Sequence, residues 1–189
     1  LIENFLGIAN TILIGGAMSY TFLRAKGIGT GKSLVEEDKM GLARDLMAKA
    51  SAQNVSIELP SDHVVAEKID STDSLVTSVT ATPEDRMGLD IGPETARRYS
   101  EIIGRARTIV WNGPMGVFEK PAVAAGTFAI ARAVADSKAF SIVGGGDSAA
   151  AIAQSGMESR ITHISTGGGA SLEFLSGRKL PGVEVLTDS

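Results

Sequence analysis

The sequence predicts an α/β domain, a parallel sheet with helices on both faces and a small peripheral β-hairpin region. Three observations carry this. Short apolar runs alternate with helix-periodic segments along the chain, the pattern of a covered parallel sheet. Most runs end in glycine-rich turns that open the next helix, and glycine supplies 22 of 189 residues, about 12% against roughly 7% in average proteins. One stretch, residues 63–80, is instead polar and strand-like, which sets a smaller sheet apart from the main one.

The elements follow in order. Thr11-Ile-Leu-Ile14 is a short strand closed by Gly15-Gly16, and residues 17–25 continue as a helix. Residues 36–53 form a long amphipathic helix, with Met40, Leu42, Ala43, Leu46, Met47 and Ala50 near 3.6-residue spacing. Residues 56–59 are a strand stopped by Pro60. Residues 63–68 and 75–80 are strands of the smaller sheet, residues 70–85 are the loosest stretch and are expected as a peripheral hairpin, and residues 86–90 are a short strand or turn. Pro93 begins a helix where proline is tolerated, and the helix runs to about Ile103. A buried strand at 108–111, an alanine-rich helix at 122–136, a strand at 140–143 and a helix at 148–154 come next. A strand at 163–165 and a helix at 170–176 precede the closing Leu180-Pro-Gly-Val183.

At 189 residues the chain has the size of one domain with a real core. Hydrophobic content of 43% and charged content of 21% exclude a disordered chain. A net charge of −4 excludes the basic footprint of a nucleic-acid binder, and no apolar run is long enough to span a membrane. With no cysteine, disulfide and thiolate chemistry are excluded, and a reducing compartment fits. The opening Leu1-Ile-Glu-Asn-Phe-Leu6 reads as a chain starting within a helix, so a piece of something larger is expected.

Ligands of parallel sheets sit beyond the carboxyl ends of the strands. Four candidates fall there: Gly15-Gly16, residues 112–119, residues 144–147 and residues 165–169. Gly144-Gly-Gly-Asp147 is a side-chain-free turn, an acid and a helix start; Gly167-Gly-Gly169 nearly repeats it twenty residues on. Glycine lets backbone N–H groups approach an anion, and a helix N-terminus adds unpaired donors and a positive dipole end, so both clusters suit phosphate. A carboxylate facing phosphate repels it unless a metal lies between, which implies Mg²⁺ at Asp147; read structurally, Asp147 is an N-cap. In Trp111-Asn-Gly-Pro-Met-Gly-Val-Phe-Glu119, Asn112 can donate to a phosphate, Glu119 can accept from sugar hydroxyls, and Met115, Val117 and Phe118 can form an apolar wall. The same stretch reads equally as a β–α loop with a buried Trp111 and a solvated Glu119. Gly29-Thr-Gly-Lys-Ser33 is not a P-loop, since Lys26 stands where the first glycine belongs and a helix precedes it. No dinucleotide fingerprint, zinc set or Ser/His/Asp constellation occurs. His63 reads as structural and His163 as a satisfied core histidine.

Trp111 to Glu119, Gly144-Gly-Gly-Asp-Ser148 and His163-Ile-Ser-Thr-Gly-Gly-Gly-Ala-Ser-Leu-Glu-Phe-Leu175 together closely resemble the phosphoglycerate kinase family. So do Ile14-Gly-Gly-Ala-Met-Ser-Tyr-Thr-Phe-Leu23, Met87-Gly-Leu-Asp-Ile-Gly-Pro-Glu94 and Leu180-Pro-Gly-Val183, in family order over essentially the whole chain. The resemblance is to the C-terminal, nucleotide-binding half, a Rossmann-like domain occupying residues 1–189 and incomplete at its N-terminus. It implies reversible phosphoryl transfer between 1,3-bisphosphoglycerate and MgADP in a cytoplasmic, usually monomeric enzyme. Gly15, Gly16, Gly88 and Leu89 would line the adenine pocket; Asn112, Pro114, Gly116 and Val117 would hold the nucleotide, with Glu119 on the ribose. Gly145, Gly146, Asp147 and Ser148 would hold phosphates, with Asp147 on Mg²⁺, and Gly146, Gly167, Gly168 and Gly169 would present N–H groups to the transferring phosphoryl. The family often has threonine where Ser148 stands, which keeps the hydroxyl. The family's Gly-Gly-Ala-Lys segment with its two phosphate-contacting lysines, a central strand with it, and the whole N-terminal domain that binds the acid substrate are absent from this sequence. The resemblance therefore implies weakened binding of ADP or ATP by this piece alone, no catalysis, an exposed sheet edge and a need for the complementary domain. A non-catalytic module docking on another chain is the alternative.

Overall fold

The computed structural model describes residues 1–166. The expected helix at 170–176, the closing turn and the triplet Gly167, Gly168 and Gly169 lie outside the described residues. In chain order the elements are α1 (Ile2–Phe5), β1 (Thr11–Leu13), α2 (Ala17–Ala25), α3 (Met40–Ala52), β2 (Ser56–Glu58), β3 (Asp62–Ala66), β4 (Leu75–Ser78), β5 (Met87–Ile91), α4 (Pro93–Gly104), β6 (Thr108–Asn112), α5 (Ala125–Asp136), β7 (Phe140–Gly144), α6 (Gly146–Ser155) and β8 (His163–Ser165).

Parallel pairing is present as expected, but in two pieces rather than one continuous ladder. β1 pairs with β2, and β6–β7–β8 form a second parallel sheet. The smaller sheet expected from residues 63–68 and 75–80 is β3–β4, antiparallel, and β5 joins it on the other side of β3; residues 70–85, expected as a peripheral hairpin of their own, supply only β4 and a 3₁₀ turn at Val79–Ala81. Residues 86–90, read as strand or turn, thus contribute a full strand.

Side-chain alternation sets the layers. Ile12 of β1 and Ile14 just after it face a core with Phe22 of α2 and Ala43, Leu46 and Ala50 of α3, while Leu13 faces the opposite core. That second core is the larger one. It joins Tyr99 and Ile103 of α4, Ile130 and Val134 of α5 and Ile152 of α6 to Trp111 and Val143 of the sheet. Helices therefore cover both faces of β1–β2, and α4, α5 and α6 cover the face of β6–β7–β8 that carries Ile109, Trp111 and Ile164. His163 alternates with Ile164 and so points the other way. It is exposed, which corrects the expectation of a core histidine.

Helix α4 ties the two parallel sheets together. The Tyr99 hydroxyl, with the ring fully buried, lies 2.7 Å from the Ile14 carbonyl and 3.0 Å from that of Glu58, one on each strand end of the small sheet. Burial holds its ionisation above the ordinary tyrosine range, so it stays a donor. Beside it Arg98 pairs with Glu58 and donates to the Leu59 carbonyl at 2.6 Å. On the outer face Arg97 bridges Glu94 at 2.6 Å and Glu101 at 2.5 Å; such exposed, solvent-screened pairs contribute little to stability.

Two helix starts are capped by carboxylates borrowed from strands. Asp62 of β3 accepts from the Glu94 and Thr95 amides of α4 at 3.0 and 2.8 Å. Asp90 of β5 accepts from the Gly126 amide of α5 at 2.7 Å. Two starts differ from the sequence reading. α3 begins at Met40 after a 3₁₀ turn at Glu37–Lys39, because the Glu36 amide is tied to the Thr21 hydroxyl in a non-helical conformation. α6 begins at Gly146, capped by Gly145 at φ 95°, a conformation open to glycine. Asp147 is therefore inside the first turn and makes no capping bond, which corrects its reading as an N-cap. Among the described residues no helix is long and apolar enough to cross a membrane.

Candidate functional site

A cavity of about 310 Å³ opens where the start of α2, strand β5 and the loop after β6 meet. That is at the lower end of the range for small-molecule sites. Gly16, Gly88, Leu89, Pro114, Gly116 and Val117 all line it. Six residues named from sequence, spread over a hundred positions, thus converge on one apolar hollow. Gly15 does not reach the cavity wall; a Cβ there would lie 2.3 Å from the Met115 sulfur, so it packs behind the loop.

Backbone bonds hold the loop in place. The Gly16 amide donates to the Met115 carbonyl at 3.1 Å, and the Val117 amide to the Leu89 carbonyl at 2.8 Å. The Met115 amide donates to the buried hydroxyl of Thr127 at 3.1 Å. Gly116 is pressed so closely on β5 that a Cβ would stand 2.4 Å from the Leu89 carbonyl and 2.6 Å from an Asp90 oxygen. Gly88 is equally constrained, with a hypothetical Cβ 1.6 Å from the Tyr20 hydroxyl. We therefore expect Gly88→Ala to destabilise the protein by about 1–3 kcal/mol, an overpacking cost, read as a lowered urea midpoint; an unchanged midpoint would mean that Tyr20 can step aside freely.

Tyr20 cannot easily do so, because it belongs to a buried chain of hydrogen bonds. Its hydroxyl is 2.8 Å from His63 Nδ1, and His63 Nε2 is 2.9 Å from the Thr82 hydroxyl, which donates to the Val79 carbonyl at 3.0 Å. This network assigns the protons. Thr82 spends its hydrogen on Val79, so His63 Nε2 carries a hydrogen toward Thr82, and Nδ1 accepts from Tyr20. Burial lowers the His63 pKa to about 4, only partly opposed by Asp62, so the ring is neutral. The structural reading of His63 holds, yet His63 and Tyr20 also line the cavity.

The other named residues gather at a second place, the ends of β6 and β7. Asn112 and Gly144 face each other in register. The buried Ser148 hydroxyl accepts from the Gly113 amide at 2.6 Å, tying the loop to the first turn of α6. A Cβ on Gly145 would be 3.0 Å from Asn112 Oδ1. Gly146 and Asp147 are exposed at this turn, and Glu119 is exposed beyond the loop. Gly145, Gly146, Asp147, Ser148, Asn112 and Glu119 are not part of the cavity wall. Trp111 is buried, its indole N–H 2.6 Å from the Gly113 carbonyl. The loop thus joins an apolar pocket to a helix N-terminus furnished with an exposed carboxylate. Among the described residues no group of three or more His, Cys, Asp or Glu side chains could hold a metal by itself. A single carboxylate fits Mg²⁺ all the same, since that ion commonly takes one or two carboxylates and fills its shell with phosphate oxygens and water.

Asp90 is the residue that sequence reading passed over. It is 3% exposed on the cavity floor, accepting from the Gly126 and Ile91 amides, and burial pushes its pKa up to about 7. The signal was an acid inside the apolar strand Met87–Ile91.

The loop Gly29–Ser33 is an ordinary connection, as read from sequence, although the Ser33 hydroxyl accepts from the Gly88 amide at 2.9 Å behind the pocket.

Comparison with known proteins matches this chain to one family. The family model described as phosphoglycerate kinase matches residues 1–178. The phosphoglycerate kinase of Anaeromyxobacter sp. (strain Fw109-5) is 54% identical over 187 residues, 98% of this chain and 47% of the relative. That of Clostridium novyi (strain NT) is 53% identical over 189 residues, 100% of this chain and 48% of the relative. The phosphoglycerate kinase structure from Coxiella burnetii superposes with a TM-score of 0.95 at 41% identity, covering 99% of this chain and 48% of that one. The chain spans about half the length of the curated relatives it matches. By sequence and by structure, it belongs to the phosphoglycerate kinase family.

Proposed function

We propose that the chain is the nucleotide-binding, C-terminal half of a phosphoglycerate kinase, an enzyme that moves a phosphoryl group reversibly between 1,3-bisphosphoglycerate and MgADP. The observation that supports this most is the convergence of Gly16, Gly88, Leu89, Pro114, Gly116 and Val117 on one apolar cavity of about 310 Å³. The cavity takes the flat, weakly polar base. Glu119 takes the ribose hydroxyls, and Asn112 with the first turn of α6 takes the phosphates, their backbone donors and the helix dipole favouring anions. Asp147 holds Mg²⁺, which when bound offsets phosphate charge. Phosphoryl transfer is mostly positioning and charge stabilisation, and the acid substrate is held by the other domain, so this half alone binds nucleotide weakly and turns nothing over.

The test is calorimetric titration with MgADP beside the Glu119→Ala, Asp147→Ala double variant. Saturable heat in the parent chain, weakened at least about tenfold in the variant, a loss of about 1.4 kcal/mol, is expected. No heat from a chain that melts cooperatively, or equal binding by the variant, would overturn the assignment.

The open sheet edges favour a second, compatible reading. β1 and β6 each pair on one side only among the described residues, and unpaired edges invite a strand. A complementary segment pairing there would make the piece an assembly partner as well. Turnover on mixing with the N-terminal half supports the enzyme reading. Stable capture of an unrelated chain without turnover supports assembly alone.

A further inference from the structure

Under the candidate nucleotide pocket, three elements meet at a single carboxyl group. Asp90 Oδ2 accepts from the Gly126 amide at 2.7 Å, in the first turn of α5, and Oδ1 accepts from the Ile91 amide at 2.9 Å. Gly116 of the pocket loop and Gly126 both lie directly against it: a Cβ on either would stand 2.6 or 2.4 Å from Oδ1. Backbone has been brought to the carboxyl group from two sides, at positions that admit no side chain.

Among the described residues the group has no cationic partner. From α2 it faces Tyr20, whose own ionisation is held up by burial and by the Asp90 charge. From β3 come Asp62, committed to the start of α4, and His63, neutral and bonded to Tyr20. The ionisable residues after the loop, Glu119 and Lys120, are exposed, as are Arg132 and Asp136 farther along α5. Among the described residues only amides and the α5 dipole offset a buried charge, so its ionisation is finely balanced.

We propose that Asp90 is a positioning residue for the nucleotide pocket, its ionised form clamping residues 114–118 and the start of α5 onto β5, and its protonation loosening that wall. The proposal rests on the nucleotide reading for its functional consequence, though not for its structural one. A protonated carboxyl is a weaker acceptor for both amides and adds an O–H to a space shaped by glycines. Its pKa, raised by burial to about 7, puts the change near neutrality.

Two measurements separate the proposal from the reading beneath it. First, amide chemical shifts of ligand-free protein are followed from about pH 5.5 to about pH 8.5. Gly126, Ile91, Gly116 and Val117 are expected to move together with one midpoint near 7, and to stay flat in Asp90→Asn. Movement of Gly126 and Ile91 without Gly116 and Val117, or an unchanged profile in the variant, overturns the proposal. Should Asp90→Asn fail to fold, concerted or separate movement in the parent chain decides. Second, adenosine, which has no group titrating in this range, is titrated across the same interval. Its affinity is expected to be about five- to tenfold weaker at the acid end and independent of pH in Asp90→Asn. Pocket binding with no pH dependence overturns the functional part of the proposal. No adenosine binding at any pH overturns the nucleotide reading, while the amide titration still judges Asp90.

Discussion

Truncating Tyr99 to alanine is expected to cost about 3–5 kcal/mol of stability, the range for removing a buried aromatic ring. The side chain is fully buried among Trp111, Val143 and the helices of the larger core. Its hydroxyl also reaches the carbonyls of Ile14 and Glu58. Those carbonyls lie just past the end of β1 and at the end of β2, which among the described residues share no ladder with β6–β7–β8. The loss is therefore one of coupling as well as of packing. Urea unfolding of Tyr99→Ala should show a lower midpoint and a broadened or two-step transition. Tyr99→Phe keeps the ring and leaves the two carbonyls without this donor, a smaller cost of about 1–3 kcal/mol. A Phe variant as damaged as the Ala variant would mean that the hydroxyl, not the ring, joins the sheets. An Ala variant within 1 kcal/mol of the parent, by the order of magnitude set for buried rings, would remove α4 from its role as strut.

The coupling role of Tyr99 was not legible in the sequence, and the reason is physical. Alternation in Ile12, Leu13 and Ile14 declares a strand with two buried faces, but not which strand lies beside it. The glycine-rich turns after β1 and β7 were legible because a strand–turn–helix junction needs residues without side chains there. The convergence of Gly16, Gly88 and the 114–117 loop was not spelled out by any local spacing and came from family resemblance. Asp90 was hidden by its setting in a strand otherwise readable as apolar, since burial and the Gly126 amide belong to tertiary structure. His163 shows the opposite failure: its sequence neighbours are apolar or small, yet strand alternation puts it on the exposed face.

Stability against pH should be nearly flat in the parent chain between about pH 4 and pH 6.5 with respect to Asp90 and His63, and steep in either single variant. Asp90 has its pKa raised from 3.8 to about 7 on folding. The folded state then binds this proton more tightly than the unfolded state. The contribution is full below the unfolded value and is lost as pH rises toward 7, at about 1.4 kcal/mol per pH unit. His63 has its pKa lowered from 6.5 to about 4. Here the unfolded state binds the proton more tightly. The neutral ring costs nothing above 6.5, and stability falls as pH drops toward 4 at a similar slope. The two slopes have opposite signs over a shared window, so they cancel. Asp90→Asn removes the first and leaves stability rising by about 3 kcal/mol from pH 4 to pH 6.5. His63→Gln removes the second and leaves it falling by a comparable amount over the same interval. Thermal or urea melts of the parent and both variants at several pH values read this directly. Parallel profiles in all three proteins would mean that neither group is buried in the state proposed for it. Opposite slopes would show that the chain carries an acid and a base whose burial penalties are matched. That match lets an apolar pocket keep Asp90 on its floor and His63 on its wall without making the fold fragile to acid.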